Sequence, residues 1–237
     1  MQGDIRVLGI ILARNGSKGL PGKNTMQLRG KPLIAWSIQA GLESRCVTDV
    51  VVSTDSAEIA SIAVEFGAEV PFIRPEHLAV DTSPSADAII HAISFLQECN
   101  RPYDYVVLLE PTSPIRDGTD IDEAISSLVR SGRDALVSVC RASAVHPSVM
   151  FTMGVENLLS PYETVQVKGS LRRQDVSDVF YPDGSIYVSS TKTFEETHSF
   201  YHEGTLGYEI PRWKSLEIDD ELDFLLVEAV MRDRGII

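Results

Sequence analysis

The sequence predicts an α/β fold: a Rossmann-like, mostly parallel sheet with helices on both faces, and a small β-rich arm. Short apolar runs rich in β-branched residues alternate with helical patterns through the first two-thirds of the chain. This alternation builds βαβ units around a parallel sheet. The 237 residues fit one large domain, and 43% hydrophobic with 23% charged residues is typical of a globular protein. The sequence therefore predicts a single domain over residues 1–237, with an arm at about residues 142–187.

The predicted strands and helices follow one another along the chain. Apolar, β-branched runs predict strands at residues 7–13, 50–53, 70–73, 105–109 and 135–140. The helical patterns between them predict helices near residues 32–43, 56–66, 85–99 and 121–131. In the second helix Ser56 offers an N-cap. Its apolar stripe at i, i+3, i+4 and i+7 consists of Ile59, Ile62, Ala63 and Phe66.

The pattern changes at about residue 142. Up to residue 187, short strand-like pieces are punctuated by prolines and glycines, with no long amphipathic helix. This composition predicts the β-rich arm, which we expect to make the contact in a homodimer. Strands are predicted again at residues 185–189 and 205–210, followed by a closing helix at residues 220–234. The apolar stripe of that helix includes Leu222, Leu225, Leu226 and Ala229.

A loop of three glycines and three cations follows the first predicted strand, at residues 14–24. Glycines let the backbone approach a ligand, backbone N–H groups bind anions, and Arg and Lys neutralise negative charge. Residues 5–42 contain six cations and no Asp or Glu, although the whole chain carries a net charge of −13. The loop predicts a polyphosphate site; an ordinary solvent loop is the alternative.

The spacing excludes two better-known phosphate loops. A Walker A loop counted from Gly16 requires a glycine at the position of Pro21, and Asn24 follows Lys23 where Ser or Thr is required. The glycines read G-x-x-G-x-x-G rather than the dinucleotide fingerprint G-x-G-x-x-G. The sequence therefore favours neither a P-loop NTPase nor an NAD enzyme.

Acidic residues are concentrated towards the end of the chain, where residues 217–223 contain five carboxylates. Acidic residues favour the first turn of any helix because they complement its dipole. The alternative is therefore that these carboxylates only mark the start of the last helix. If the chain is extended here, however, Glu217 and Asp219 project to one face while Leu216 and Ile218 face the core. Two carboxylates beside a phosphate loop predict a Mg²⁺ site, and together these two signals indicate nucleotidyl or phosphoryl transfer.

Composition also excludes several classes of protein. The acidity argues against nucleic-acid or membrane partners, and no apolar run approaches the roughly 20 residues of a membrane span. The beginning of the chain does not read as a secretory signal. Cys46, Cys99 and Cys140 form no C-x-x-C pair, so we expect reduced thiols and a cytoplasmic protein.

Motifs along nearly the whole chain resemble those of the acylneuraminate cytidylyltransferases, also called CMP-N-acetylneuraminate synthetases. In chain order they are ILARNGSKGLPGKN at residues 11–24, VSTD at 52–55, RP at 74–75 with LA at 78–79, DTSPS at 81–85, LEPTSPIR at 109–116, RRQ at 172–174, GSIY at 184–187, and EID at 217–219 before ELD at 221–223. The resemblance implies a fold of the nucleotidyltransferase type. It also implies that CTP and a 2-keto sugar acid are the substrates, with Mg²⁺ assisting.

The resemblance also implies roles for individual residues, by their positions in the matching motifs. The resemblance implies nucleotide-binding roles for Leu12, Ala13, Arg14, Asn15, Gly16, Ser17, Lys23, Asn24 and Ser85. Among these, Arg14 and Lys23 would stabilise charge on the triphosphate. It implies sugar-binding roles for Glu110, Arg173, Asp183 and Tyr187, and an Arg suits the sugar carboxylate because its fork binds two oxygens. Asp219, supported by Glu217, matches the metal-holding position, and proton removal from the sugar could fall to metal-bound hydroxide or to Asp219.

The sugar half of the site departs from the sialic-acid pattern. Glu110 replaces Gln, Asp183 replaces Asn, and Tyr181 and Val149 stand where Arg and Lys are usual. A carboxylate only accepts hydrogen bonds at pH 7, whereas an amide also donates. We therefore expect a related nonulosonate, legionaminate-like or another 3-deoxy-2-keto acid. The alternatives are a different sugar acid, another NTP such as GTP, or a nucleotide-binding sensor without turnover.

Overall fold

The computed structural model describes residues 5–16, 19–142, 146–162 and 177–236. The strands are β1 Val7–Leu12, β2 Gln27–Leu28, β3 Lys31–Pro32, β4 Asp49–Ser53, β5 Tyr105–Leu108, β6 Ala135–Arg141, β7 Phe151–Met153, β8 Leu159–Pro161, β9 Phe180–Ser190 and β10 Leu206–Glu209. The α-helices are α1 Leu33–Glu43, α2 Ala57–Glu65, α3 Ser85–Glu98, α4 Gly118–Ser131, α5 Thr191–Thr197 and α6 Glu221–Asp233. None of the helices in these described ranges is long and apolar enough to cross a membrane.

Six strands form the central sheet in the order β10-β6-β9-β5-β1-β4. β1 pairs in parallel with β4 and β5, and β10 pairs in parallel with β6. β9 alone runs antiparallel to its neighbours, β5 and β6. The predicted mostly parallel sheet is confirmed, and the carboxyl ends of β1, β4 and β5 meet at one edge.

Helices cover both faces of this sheet, as predicted. Along β1, Val7 and Ile11 belong to one buried cluster and Leu8 and Ile10 to another, because successive side chains of a strand point to opposite faces. The first cluster includes residues of α1, α2 and α4. The second includes residues of α3 and α5, a helix that the sequence analysis did not predict.

A third cluster fixes the end of the chain against its beginning. It joins Leu28, Leu33 and Trp36 to Ile218 and to Val227 and Met231 of α6. The predicted stripe of α6 is therefore wrong: Leu222, Leu225 and Leu226 are 73%, 56% and 48% exposed, and Ala229 is exposed as well. Val227 and Met231, on another face of α6, are buried instead, because that face meets Leu33 and Trp36 of α1.

The strand predicted at residues 70–73 is also wrong. Glu69 makes one parallel bridge with Val51, and the pairing then stops. Pro71 has no N–H to continue the ladder. The next backbone hydrogen bond between this segment and the residues after β4 is made by the N–H of Arg74, which donates to the carbonyl of Thr54 at 2.8 Å.

Within the range predicted as an arm, residues 151–161 contain a hairpin, whereas residues 180–187 belong to β9 of the central sheet. β7 pairs antiparallel with β8, and both strands are exposed along their length. Residues 143–145 and 163–176 of the arm lie outside the described residues.

Candidate active site

The cationic loop after β1 contacts the carboxylate segment before α6. The Lys23 ammonium lies 3.2 Å from Asp219 Oδ1 and donates to the carbonyl of Ile218 at 3.1 Å. Gly19 lies so close that a Cβ there would stand 2.5 Å from the Asp219 carbonyl oxygen. Residues almost 200 positions apart therefore form one site.

Local structure explains the position of the loop. Gly22 has a φ of 71°, a value that favours glycine, and it leads into a short 3-10 turn at Lys23–Thr25. Asn24 is buried, and its side-chain amide donates to the carbonyl of Arg14 at 3.1 Å. The loop is further tied to the end of β4, because the N–H of Asn15 donates to Asp55 Oδ1 at 2.9 Å.

The carboxylate segment passes the turn after β5, and its side chains alternate between more buried and exposed positions, which is the arrangement that an extended segment gives. The N–H of Ile218 donates to the carbonyl of Thr112 at 2.8 Å, and the Ile218 side chain is fully buried. Leu216 packs against the same cluster. Glu217 and Asp219, on the alternate positions, lie at the open side of the site.

A pocket of about 260 Å³ opens beside the loop. Its lining consists of Leu12, Arg14, Arg74, Leu78, Val80, Asp81, Ser83, Pro84, Ser85, Ala88 and Glu110. Three predicted nucleotide-binding residues, Leu12, Arg14 and Ser85, thus share one pocket with Glu110 of the predicted sugar side. Ser85 is the first residue of α3, so the helix directs its amino end at this pocket.

Two lining residues were missed as site residues by sequence reasoning. Arg74 is 5% exposed and donates from Nε to Ser53 Oγ at 2.9 Å and from Nη2 to the Ser53 carbonyl. Asp81 lies with one carboxylate oxygen 2.6 Å from Arg14 Nη1. Both belong to motifs that resemble those of the family, RP at 74–75 and DTSPS at 81–85. The sequence does not show, however, that Arg74 turns inwards or that Asp81 faces the loop.

Carboxyl groups of the predicted metal site lie beside the predicted sugar side. Glu217 Oε1 accepts a hydrogen bond from Thr112 Oγ1 at 2.9 Å. Gly184 has a φ of 79°, and a Cβ there would lie 2.9 Å from Glu217 Oε2. The Glu217 carboxylate therefore rests directly on the glycine backbone. Partial burial raises the pKa of Glu217, and the neighbouring Asp219 adds to that rise.

The charge state of Glu110 is set by its surroundings. Burial, and then the negative charge of Glu217, raise the pKa of Glu110 to about 7. The cations Arg116, Lys23 and Arg74 oppose this rise. Near neutral pH, Glu110 is thus divided between a protonated form that donates a hydrogen bond and an ionised form that only accepts.

The other two predicted sugar-side residues that the structure describes lie on β9. Tyr187 pairs with Leu108 and so sits near the carboxyl end of β5, where burial and contact with Tyr201 raise its pKa. Asp183 is 2% exposed, and its Oδ2 accepts from Ser185 Oγ at 2.6 Å. The predicted residues Ser17 and Arg173 lie outside the described residues.

Glu217 and Asp219 are the residues that could hold a divalent ion. In residues 5–16, 19–142, 146–162 and 177–236, no group of three or more His, Cys, Asp or Glu side chains could hold a metal by itself. Two hard carboxylate ligands fit an ion that completes its shell with phosphate oxygens and water, as Mg²⁺ does. The donor set thus agrees with a metal brought together with a nucleotide.

Comparison with known proteins assigns the chain to a family. The family model for cytidylyltransferases matches residues 8–200. The chain belongs to this family. This confirms the resemblance that the motifs indicated. Cytidylyltransferases of this kind generally depend on a divalent metal ion.

Two relatives match almost the whole of this cytidylyltransferase. CMP-N,N'-diacetyllegionaminic acid synthase of Legionella pneumophila is 38% identical over 231 residues, which cover 96% of this chain and 97% of that protein. N-acylneuraminate cytidylyltransferase of Escherichia coli is 34% identical over 232 residues, which cover 97% of this chain and 53% of that protein. This chain therefore spans about half the length of the second relative.

A solved structure confirms the fold. CMP:2-keto-3-deoxy-manno-octonic acid synthetase complexed with CTP matches with a TM-score of 0.71 at 16% identity, covering 97% of this cytidylyltransferase and 99% of that chain. At this level of identity the likeness establishes the shared nucleotidyltransferase fold.

Proposed function

We propose that this cytidylyltransferase joins a nonulosonate, a nine-carbon 2-keto sugar acid, to CMP. The anomeric 2-hydroxyl oxygen of the sugar attacks the α-phosphorus of CTP and forms the new P–O bond. The bond from that phosphorus to the bridging oxygen breaks, pyrophosphate leaves, and a base takes the hydroxyl proton. The observation that carries the proposal is the contact of Lys23 with Asp219, which joins the cationic loop to the carboxylate segment.

The residues of the loop would bind and orient the triphosphate. Arg14 and Lys23 would neutralise charge that builds up on the phosphates, and Ser85 at the start of α3 would contact the nucleotide. Reactions of this type depend mainly on positioning and on charge stabilisation. Asp219 and Glu217 would hold Mg²⁺, which supplies further neutralisation of the phosphate charge when bound.

Asp219 would also be the carboxylate best placed to receive the proton. It lies beside Lys23 and is 73% exposed in its side chain, so a substrate can reach it. Lys23 would keep its negative charge compensated until the triphosphate arrives.

The sugar side favours an acceptor other than N-acetylneuraminate. Glu110 and Asp183 present carboxyl groups where amides are usual, and this changes which hydrogen bonds the pocket can make. The Legionella relative, named for N,N'-diacetyllegionaminic acid, matches over 97% of its own length. We therefore assign a legionaminate-type sugar acid as the acceptor.

The test is pyrophosphate release with CTP, Mg²⁺ and a panel of acceptors. The panel contains N,N'-diacetyllegionaminate, pseudaminate, N-acetylneuraminate and 3-deoxy-manno-octulosonate, and GTP replaces CTP in a parallel series. We expect the highest kcat/KM with CTP and the legionaminate, about tenfold above N-acetylneuraminate, a ratio that a few altered pocket contacts can supply.

Two results would contradict the proposal in different ways. A preference for N-acetylneuraminate would remove the assignment of the sugar. Tight CTP binding without pyrophosphate release from any acceptor would instead identify a nucleotide sensor.

We further propose that the enzyme works as a homodimer in the cytoplasm. The hairpin of β7 and β8 supports a dimer contact, since Phe151, Met153 and Leu159 are each more than half exposed and such apolar patches favour association. The three cysteines are free thiols, as expected in a reducing compartment.

A further inference from the structure

A buried arginine, Arg116, lies close enough to Glu110 and Asp183 for their negative charges to act on it. Arg116 is 2% exposed, and its Nη1 donates to the carbonyl of Ser113. Its Nε and Nη2 have no hydrogen-bond partner among the described residues. The same is true of two other buried polar atoms, Asp183 Oδ1 and Ser113 Oγ.

An irregularity in β9 brings Asp183 to this place. Tyr187 pairs with Val137 and Pro182 pairs with Val139, so residues 183–186 of β9 face Ser138 alone. The extra residues bulge out of the ladder, and the bulge is fixed by a bond from the N–H of Ile186 to Ser138 Oγ at 2.8 Å. Such bulges re-aim side chains beside active sites.

The turn after β5 brings Arg116 to the same place. The N–H of Ser113 donates to the carbonyl of Glu110 at 3.3 Å, and Ser37 Oγ donates to that carbonyl at 3.1 Å. Glu110, at the start of this turn, lines the pocket, and Arg116, three residues after Ser113, is buried.

The buried atoms without a hydrogen-bond partner include donors on Arg116 and acceptors on Asp183 and Ser113. Arg116 and Asp183 also carry opposite charges. A buried guanidinium is costly unless opposite charge and hydrogen bonds compensate it. Burial lowers the pKa of Arg116 to about 10, and the negative charges of Glu110 and Asp183 oppose that shift. Two free donors, one carboxylate oxygen and one hydroxyl suit an ordered water, since buried polar groups are rarely left unpaired.

We propose that Arg116 is a positioning residue for the sugar half of the site. Its guanidinium, joined through ordered water to Asp183 and Ser113, holds the carboxyl groups of Glu110 and Asp183 in the arrangement that receives the acceptor. This inference rests on the proposed function, which identifies that side of the site as the acceptor pocket. The nucleotide side does not depend on Arg116.

The test is a comparison of Arg116→Met and Arg116→Lys in steady-state pyrophosphate release with the preferred acceptor. In Arg116→Met we expect the acceptor KM to rise roughly tenfold or more, because a buried charge loses its partner. We expect the CTP KM to stay within about twofold, because the loop of residues 14–24 is untouched. Arg116→Lys keeps the charge without the fork and should lie between wild type and Arg116→Met.

A double substitution separates positioning from general damage to the fold. In the wild-type background, Glu110→Gln should raise the acceptor KM. In the Arg116→Met background it should leave that KM unchanged or lower it, because Glu110 is then no longer held by Arg116 and its replacement removes one of two carboxyl groups that had shared that cation. Arg101→Met, an arginine paired with Glu69 away from the site, is the control for loss of an ion-paired arginine.

Equal changes in both KM values, or additive effects of the two substitutions, would overturn the proposal. If Arg116→Met does not fold, the same comparison with Arg116→Lys decides. Failure of the proposed function has a different signature, since wild-type enzyme would then release no pyrophosphate with any nonulosonate.

Discussion

The charged residues of the site form two groups, one of cations and one of carboxyl groups. Arg14 and Lys23 lie on the side of the glycine loop, whereas Glu110, Asp183 and Glu217 lie around the ends of β5 and β9. Arg14 and Lys23 already have acidic neighbours, Asp81 for Arg14 and Asp219 for Lys23. An incoming triphosphate must therefore compete with, or be bridged to, these carboxylates.

The ion pair of Arg14 with Asp81 gives a prediction at this scale. In Asp81→Asn, Arg14 loses the carboxylate that competes with phosphate, so CTP should bind more tightly. Half-exposed pairs of this kind contribute about 0.2–1 kcal/mol, so the Kd for CTP should fall by up to about fivefold. Isothermal titration with CTP measures the change.

The matched control is Glu76→Gln, which removes one negative charge from an exposed position on the same connection. It should leave the Kd nearly unchanged. Weaker CTP binding in Asp81→Asn would show that Asp81 orients Arg14 for the nucleotide instead of competing for it.

The structural elements show where sequence patterns succeed and where they do not. The strands beginning at Val7, Tyr105 and Ala135 were predicted because a buried parallel sheet needs continuous β-branched runs. The strand predicted at residues 70–73 does not form because Pro71 ends the pairing. An apolar pattern alone does not reveal that a backbone N–H is missing. For α6, two apolar stripes competed, and only the packing of Val227 against the third cluster selects the buried one.

The bulge of β9 gives a prediction at the scale of elements. Gly184→Ala places a Cβ at 2.9 Å from Glu217 Oε2 on a backbone with positive φ. We expect a loss of about 1–2 kcal/mol in the free energy of unfolding from the backbone strain. Displacement of Glu217 should lower kcat by about tenfold or more. Denaturant unfolding and pyrophosphate release measure the two effects.

Gly132→Ala is the control because Gly132 has a φ of 66° with nothing within 4 Å of an added Cβ. It should show the same loss of stability with unchanged kcat. Equal activity in both variants would mean that the contact of Gly184 with Glu217 does not matter for catalysis.

At the scale of the whole molecule, the fold brings two distant and oppositely charged segments together. The sequence showed a positive segment near the beginning and a negative one near the end, and the motifs related both to nucleotide transfer. It could not show that Gly19 touches the backbone of Asp219, because that contact depends on the packing of Leu28, Trp36 and Ile218 in one cluster. The sequence analysis assigned no role to Arg74, which lines the pocket, or to Arg116 for the same reason: burial is a property of the fold.

The most direct measurement is a crystal structure of the enzyme with CTP and Mn²⁺, in which anomalous scattering locates the metal. We expect one manganese peak with oxygens of the Asp219 carboxylate and of the phosphates among its ligands, and phosphate oxygens within hydrogen-bonding distance of Lys23 Nζ. A triphosphate bound away from Lys23, or a metal without a ligand from Glu217 or Asp219, would contradict this expectation.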